Sequence, residues 1–223
     1  MNRADPHAGG RVFREGRPPE EASAAAILLH GRGGSAADIL GLARALEQPR
    51  LTYLAPQAAG NAWYPQSFLA PVERNEPWLS SALDVVRRLL DSLAAAGLPS
   101  GQTLLIGFSQ GACLALEFAA RNATRYGGVA GLAGGLIGAP GKRREHPGSL
   151  DGTPVFLGCG DQDPWVPLER FEETAEVLTR LGADVTRRLY PGMGHLVNED
   201  ELDYVRRMAS GLLGRESAAG EPE

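Results

Sequence analysis

Residues 103–120 read TLLIGFSQGACLALEFAA, and this stretch decides the fold. Its opening, 103–107, is a continuous apolar run of the kind that parallel sheets bury on both faces. From Gln110 to Arg121 the spacing is that of a helix. Between them stands Gly107-Phe108-Ser109-Gln110-Gly111. Ser109 has two readings. It is a helix cap, a common use of serine, or it is a nucleophile held on a sharp strand-to-helix turn. A side chain at either glycine would crowd the backbone of such a turn, whereas a capping serine needs no flanking glycines. With 29 glycines among 223 residues, the pentapeptide alone has limited specificity. The rest of the chain has to supply its context.

Apolar runs and amphipathic helices alternate along that chain. Strands are expected at 24–29, 51–55, 103–107, 127–133, 154–159 and 183–190. Helices are expected at 35–46, 78–96, 110–121, 168–181 and 199–213. Ser35 with Asp38, and Asn198 with Glu201, have capping-box spacing at two helix starts. Strand–helix alternation predicts an α/β fold, a mostly parallel sheet with helices on both faces. Such sheets bind ligands at the carboxyl ends of their strands. One domain is expected over 23–214. The polar segment 1–22 precedes it, with a short strand at 11–14, and the tail 215–223 has a disordered composition. His7 and His146 fall in polar loops and are expected in solvent, while His30 ends a strand.

Composition excludes several classes. A formal net charge of -5 argues against a nucleic-acid partner or an anionic membrane surface. No apolar run is long enough to span a bilayer, so no membrane insertion is expected. The N-terminus lacks the apolar core of a secretory leader, and a cytoplasmic location is expected. Two cysteines, Cys113 and Cys159, make no disulfide framework and read as buried thiols. Neither has a His or Cys neighbour at metal spacing, so no metal and no cofactor is expected.

Four strand ends carry chemistry: His30-Gly31-Arg32-Gly33-Gly34, the serine pentapeptide, GDQDPWVP at 160–167 and PGMGH at 191–195. Serine needs a base to remove its proton, and His195 follows a strand in a glycine-rich turn. The base needs an acid to fix its tautomer. Asp161 and Asp163 compete for that role, and spacing leaves both open. Ser109, Asp163, His195 is also the chain order of an α/β-hydrolase triad. A developing oxyanion needs backbone N–H donors. Gln110, first in its helix, supplies one and Arg32 in the glycine loop the other. HGRGGS lacks the Lys-Ser/Thr pair of a phosphate loop. GGVAGLAGG at 127–135 lacks the acidic partner of a dinucleotide fingerprint and reads as a closely packed strand.

Together HGRGG, GFSQG, GDQDPWVP and GMGH resemble the phospholipase/carboxylesterase family of α/β-hydrolases, which includes the acyl-protein thioesterases. The resemblance covers roughly 24–213. It implies an α/β-hydrolase with little or no cap domain. It makes Ser109 the nucleophile, His195 the base and Asp163 the acid, since Val166-Pro167 stands at the family's distance after Asp163. It supports the amides of Arg32 and Gln110 as the oxyanion hole. A homodimer is a further family-level expectation. Gly34-Ser35 stands where thioesterase-like members usually carry an acidic residue, and NAWYPQSFLAPVERNEP is more similar to the bacterial carboxylesterase branch.

The expected activity is hydrolysis of a small-molecule carboxylic ester through an acyl-enzyme. Thioester or lysophospholipid hydrolysis by the same residues, or a non-catalytic binding protein on a hydrolase fold, are the alternatives. The long loop 56–77 overhangs a strand end. Trp63, Tyr64 and Trp165 are expected either to line an acyl or aryl pocket or only to pack that loop onto the domain. The Arg32 side chain is expected in solvent.

Overall fold

A computed structural model describes residues 5–141 and 144–219, with the side chains of 215–219 left aside. Seven strands form one sheet: β1 (Val12–Gly16), β2 (Ala24–Leu29), β3 (Leu51–Pro56), β4 (Thr103–Phe108), β5 (Gly128–Leu132), β6 (Pro154–Gly160) and β7 (Asp184–Tyr190). Their spatial order is β1-β3-β2-β4-β5-β6-β7. All neighbours pair in parallel except β1, which runs antiparallel along β3 with Val12 opposite Pro56. Among the described residues four α-helices lie between strands, α1 (Ala36–Leu46), α2 (Trp78–Ala95), α3 (Gln110–Arg121) and α4 (Leu168–Arg180), and α5 (Glu199–Ala219) follows β7.

The apolar strands are continuous because helices cover both faces. Residues of β2 divide between two cores. Ala25, Ile27 and Leu29 join residues of α2, α3 and α4, among them Leu79, Leu114 and Phe171. Ala24, Ala26 and Leu28 join residues of α1 and α5, among them Ile39, Leu40 and Val205. The alternation is the two-residue period of a strand seen from both sides. Both capping boxes form. The Ser35 hydroxyl accepts from the Asp38 N–H, and the Asp38 carboxylate accepts from the Ser35 N–H at 2.9 Å. Asn198 and Glu201 exchange the same pair of bonds at 2.9 and 2.8 Å.

Three expectations change. His7 is buried, not solvated, with its backbone N–H on Ser81 Oγ at 2.9 Å. Its Nε2 donates to Trp63 O and its Nδ1 accepts from Ala59 N–H, so the ring ties the segment before β2 to the loop after β3. His146 is half-buried, not solvated. Helix α5 runs past the expected end at Leu213 to Ala219, and 220–223 lie outside the described residues. The long connections 57–77 and 133–153 carry only 3-10 turns and irregular backbone among the described residues, so no helical cap is inserted there.

Candidate active site

Ser109 sits between β4 and α3 with φ 55° and ψ -119°, a conformation that L-residues rarely adopt. Two backbones pass close by, which is why glycine flanks it. A Cβ on Gly107 would stand 2.5 Å from Ala112 N. A Cβ on Gly111 would stand 2.5 Å from the carbonyl carbon of Leu29 and 2.6 Å from His30 O. The turn is held by Ser109 N–H on Leu132 O at 2.9 Å and Cys113 N–H on Ser109 O at 3.0 Å. No side-chain capping bond is made, so the helix-cap reading of Ser109 fails.

Ser109 Oγ lies 2.7 Å from His195 Nε2, and His195 Nδ1 lies 2.7 Å from Asp163 Oδ2. A carboxylate only accepts, so Nδ1 carries the proton and Nε2 presents its lone pair to the serine hydroxyl. The Asp163 side chain is fully buried. Its Oδ1 accepts from Trp165 N–H at 2.8 Å and Val166 N–H at 3.2 Å, and the Cys159 thiol points at Oδ2 from 3.8 Å. Asp163 is thereby oriented on both oxygens. Burial, and then the adjacent Asp163, push the Cys159 thiol up to about 12, so it stays a neutral donor.

Asp161, the competing acid, does a different job. Its carboxylate accepts from Gly192 N–H at 2.7 Å and ties the loop after β7 to the loop after β6. The two acids therefore separate as one on the histidine ring and one on the histidine's loop.

The glycine loop after β2 abuts the serine. A Cβ on Gly31 would come within 3.3 Å of Ser109 Cβ, so Arg32 follows a residue already in contact with the turn. Gln110 N–H belongs to the first turn of α3, where a helix has no internal acceptor to offer. His30 is buried, as a structural histidine. Its Nδ1 donates to Gly31 O at 2.8 Å and its Nε2 accepts from Ala58 N–H at 3.1 Å.

A cavity of about 520 Å³ opens in front of Ser109 and His195. Tyr64, Phe68, Cys113, Ala133, Trp165 and Val166 make much of its wall. Two of the three expected pocket aromatics therefore reach it. Trp165 does so at the surface, 68% exposed, and Tyr64 from within. Trp63 does not. It is fully buried behind the wall, its indole N–H donating to His30 O at 2.9 Å, because the indole fills the core under the loop.

Two side chains build the pocket loop, Gln110, which pattern reading leaves unassigned, and Arg32, which it places in solvent. Gln110 is buried, with Oε1 accepting from Trp63 N–H at 2.9 Å and Nε2 donating to Tyr64 O at 2.8 Å. Arg32 is exposed but not free: its guanidinium donates to the carbonyls of Tyr64, Pro65 and Gln66 at 2.7–3.0 Å. Only the identity of Gln110 and Arg32 beside known strand ends hints at this, since their partners lie more than thirty residues away in sequence. Cys113 is legible in part, one helical turn after the serine.

Comparison with known proteins agrees with this layout. The family model for Phospholipase/Carboxylesterase matches residues 15–210. A solved phospholipase/carboxylesterase from Dyadobacter fermentans is 41% identical, with a TM-score of 0.87 over 91% of this chain and 97% of its own. The solved esterase PE8 is 26% identical, with a TM-score of 0.74 over 91% of this chain and 99% of its own. Acyl-protein thioesterase 1 of Gibberella zeae is 34% identical over 124 residues, 55% of this chain and 51% of that protein. The chain spans about half the length of the curated relatives it matches. Among the described residues no helix is long and apolar enough to cross a membrane. A strand-end serine, a doubly covered parallel sheet and a family match across most of the sequence lead to one assignment: the chain has an α/β-hydrolase fold and belongs to the phospholipase/carboxylesterase family.

Proposed function

We propose that this protein hydrolyses carboxylic esters through an acyl-enzyme intermediate, with Ser109, His195 and Asp163 as its catalytic residues. The observation that carries this reading is the pair of 2.7 Å hydrogen bonds joining Ser109 Oγ, His195 and Asp163 at the wall of the cavity. Ser109 Oγ attacks the ester carbonyl carbon while His195 Nε2 takes its proton. The N–H groups of Arg32 and Gln110 receive the charge that develops on the carbonyl oxygen. The bond to the alcohol oxygen breaks as the imidazolium returns the proton to it. Water then attacks the acyl-serine, His195 again moves the proton, and the carboxylic acid leaves with Ser109 restored. Asp163 holds the ring and offsets its positive charge throughout.

Thioester hydrolysis is the second reading. The thioesterase named among the relatives favours it, and it uses the same steps with a sulfur leaving group. Matched oxygen esters and thioesters separate the two by kcat/KM. The test of the shared mechanism is Ser109→Ala. It is expected to remove p-nitrophenyl ester turnover and fluorophosphonate labelling, with Tm near that of the wild type. Turnover in the variant comparable to wild type overturns the mechanism.

A further inference from the structure

Two buried polar atoms, one at the floor of the cavity and one behind it, lack hydrogen-bond partners among the described residues. Cys113, one turn into α3, lines it, and its sulfur already accepts from Gly135 N–H at 3.4 Å. The Tyr64 hydroxyl is buried and faces the same sulfur without hydrogen-bond geometry. It has no hydrogen-bond partner among the described residues. Arg170, in the first turn of α4, lies behind the floor. Its Cγ packs against Gly135, and its guanidinium carbon is 5.9 Å from the centre of the Phe68 ring, which lines the cavity. Arg170 Nη1 donates to Leu136 O at 2.5 Å and Nε to Glu173 at 2.8 Å, but Nη2 has no partner among the described residues. A thiol is a weak acceptor, and leaving buried donors unmatched is unfavourable, more so for a charged one.

The charges lean the same way. Arg170 and Arg144, with side chains only 3% and 9% exposed, share the single carboxylate of Glu173. Glu117, the other carboxylate facing Tyr64 and Cys113, is taken up by Arg121 at 2.6 Å and Ile137 N–H at 2.9 Å. A buried guanidinium short of anionic partners is completed best by a carboxylate.

We propose that the substrates are half-esters of short dicarboxylic acids, whose free carboxylate seats against Tyr64 Oη and Arg170 Nη2 at the Cys113 end of the cavity. This rests on the ester-hydrolase reading and names its substrate class. Cys113 stands four residues after Ser109, about 6 Å along the axis at about 1.5 Å per residue, which suits a five-carbon acyl group. Phe68 covers Arg170, so seating the carboxylate on Nη2 requires that ring to turn aside.

Monoethyl glutarate against ethyl pentanoate tests this, with the released acid titrated at constant pH. The readout is the ratio of kcat/KM for the two esters. Wild type is expected to favour the glutarate about tenfold or more, the scale of a hydrogen bond to a charged group. Tyr64→Phe removes only an unpartnered hydroxyl and is expected to lower the ratio about fivefold or more. Arg170→Lys keeps the charge, loses the fork and is expected to lower it as well. A wild-type ratio at or below one, or a ratio unmoved in both variants, overturns the substrate class. Fluorophosphonate labelling keeps the two failures apart. A labelled protein without the preference overturns this inference alone, and an unlabelled one overturns the hydrolase reading beneath it.

Discussion

Gly160 in β6 and Met193 in the loop that carries His195 pack backbone against backbone. A Cβ on Gly160 would stand 2.5 Å from the Met193 carbonyl carbon and 2.6 Å from Gly194 O. Nearby, Gln162 N–H donates to Met193 O at 3.0 Å and Asp161 N–H to Tyr190 O at 3.1 Å. The loop bearing His195 is therefore seated directly on the strand whose end bears Asp163.

Gly160→Ala is expected to push that loop off the strand. A displacement of about 1 Å at a reacting group costs about a hundredfold in rate, so kcat should fall by that order while the far-UV circular dichroism stays native. Wild-type kcat in this variant would show that the close packing does not set the position of His195.

The two aspartates should separate kinetically. Asp163→Asn removes the acceptor that fixes the His195 tautomer and is expected to lower kcat by about four orders of magnitude, as loss of the equivalent acid does in serine proteases. Asp161→Asn keeps an oxygen for Gly192 N–H and is expected to cost less than about tenfold, within the range of one exchanged hydrogen bond. The reverse order would reassign the acid.

Gln110 is predicted to matter through its side chain as well as its amide. Gln110→Ala leaves Trp63 N–H buried without a partner and takes one of two donors from Tyr64 O, which keeps the Arg32 guanidinium. Chemical denaturation should therefore register a loss of about 1–3 kcal/mol, the cost of one buried unsatisfied donor. Gln110→Glu is also expected to destabilise, because a carboxylate oxygen would then face the Tyr64 carbonyl instead of an N–H. Equal stability of Gln110→Glu and wild type at pH 8 would contradict this geometry.

Glu201 gives a pH signature. It is buried against Gly158, Oε1 has no hydrogen-bond partner among the described residues, and burial raises its carboxyl to about 7. The folded protein thus holds this proton more tightly than the unfolded chain, where the ordinary value of 4.5 applies. The contribution is favourable below about pH 4.5 and is lost as pH rises through about 7. Glu201→Gln keeps an acceptor for Asn198 N–H and has no charge to bury. It is expected to be more stable than wild type at pH 8, by at most about 3 kcal/mol, with the gain shrinking toward pH 5. A gain independent of pH, measured by Tm across that range, would remove Glu201 as the titrating group.

The sequence by itself determined the sheet, because continuous apolar runs spaced by amphipathic helices have one common solution: parallel strands covered on both faces. It also determined the glycines around Ser109 and both capping boxes, since these are local rules acting within a few residues. Spacing did not choose between Asp161 and Asp163. Both follow β6 within three residues; the Val166-Pro167 resemblance points to Asp163, and the fold brings that carboxylate to the histidine ring and Asp161 to Gly192 N–H. Tertiary structure likewise decided that Trp63 belongs to the core and Tyr64 to the cavity, although they are neighbours, because adjacent residues of an irregular loop point in different directions. It alone brought Arg32, Gln110, Cys113 and Arg170 around one loop and one floor. Their contacts span separations that no local pattern encodes, and they arise because the strand ends converge on a single edge of the sheet.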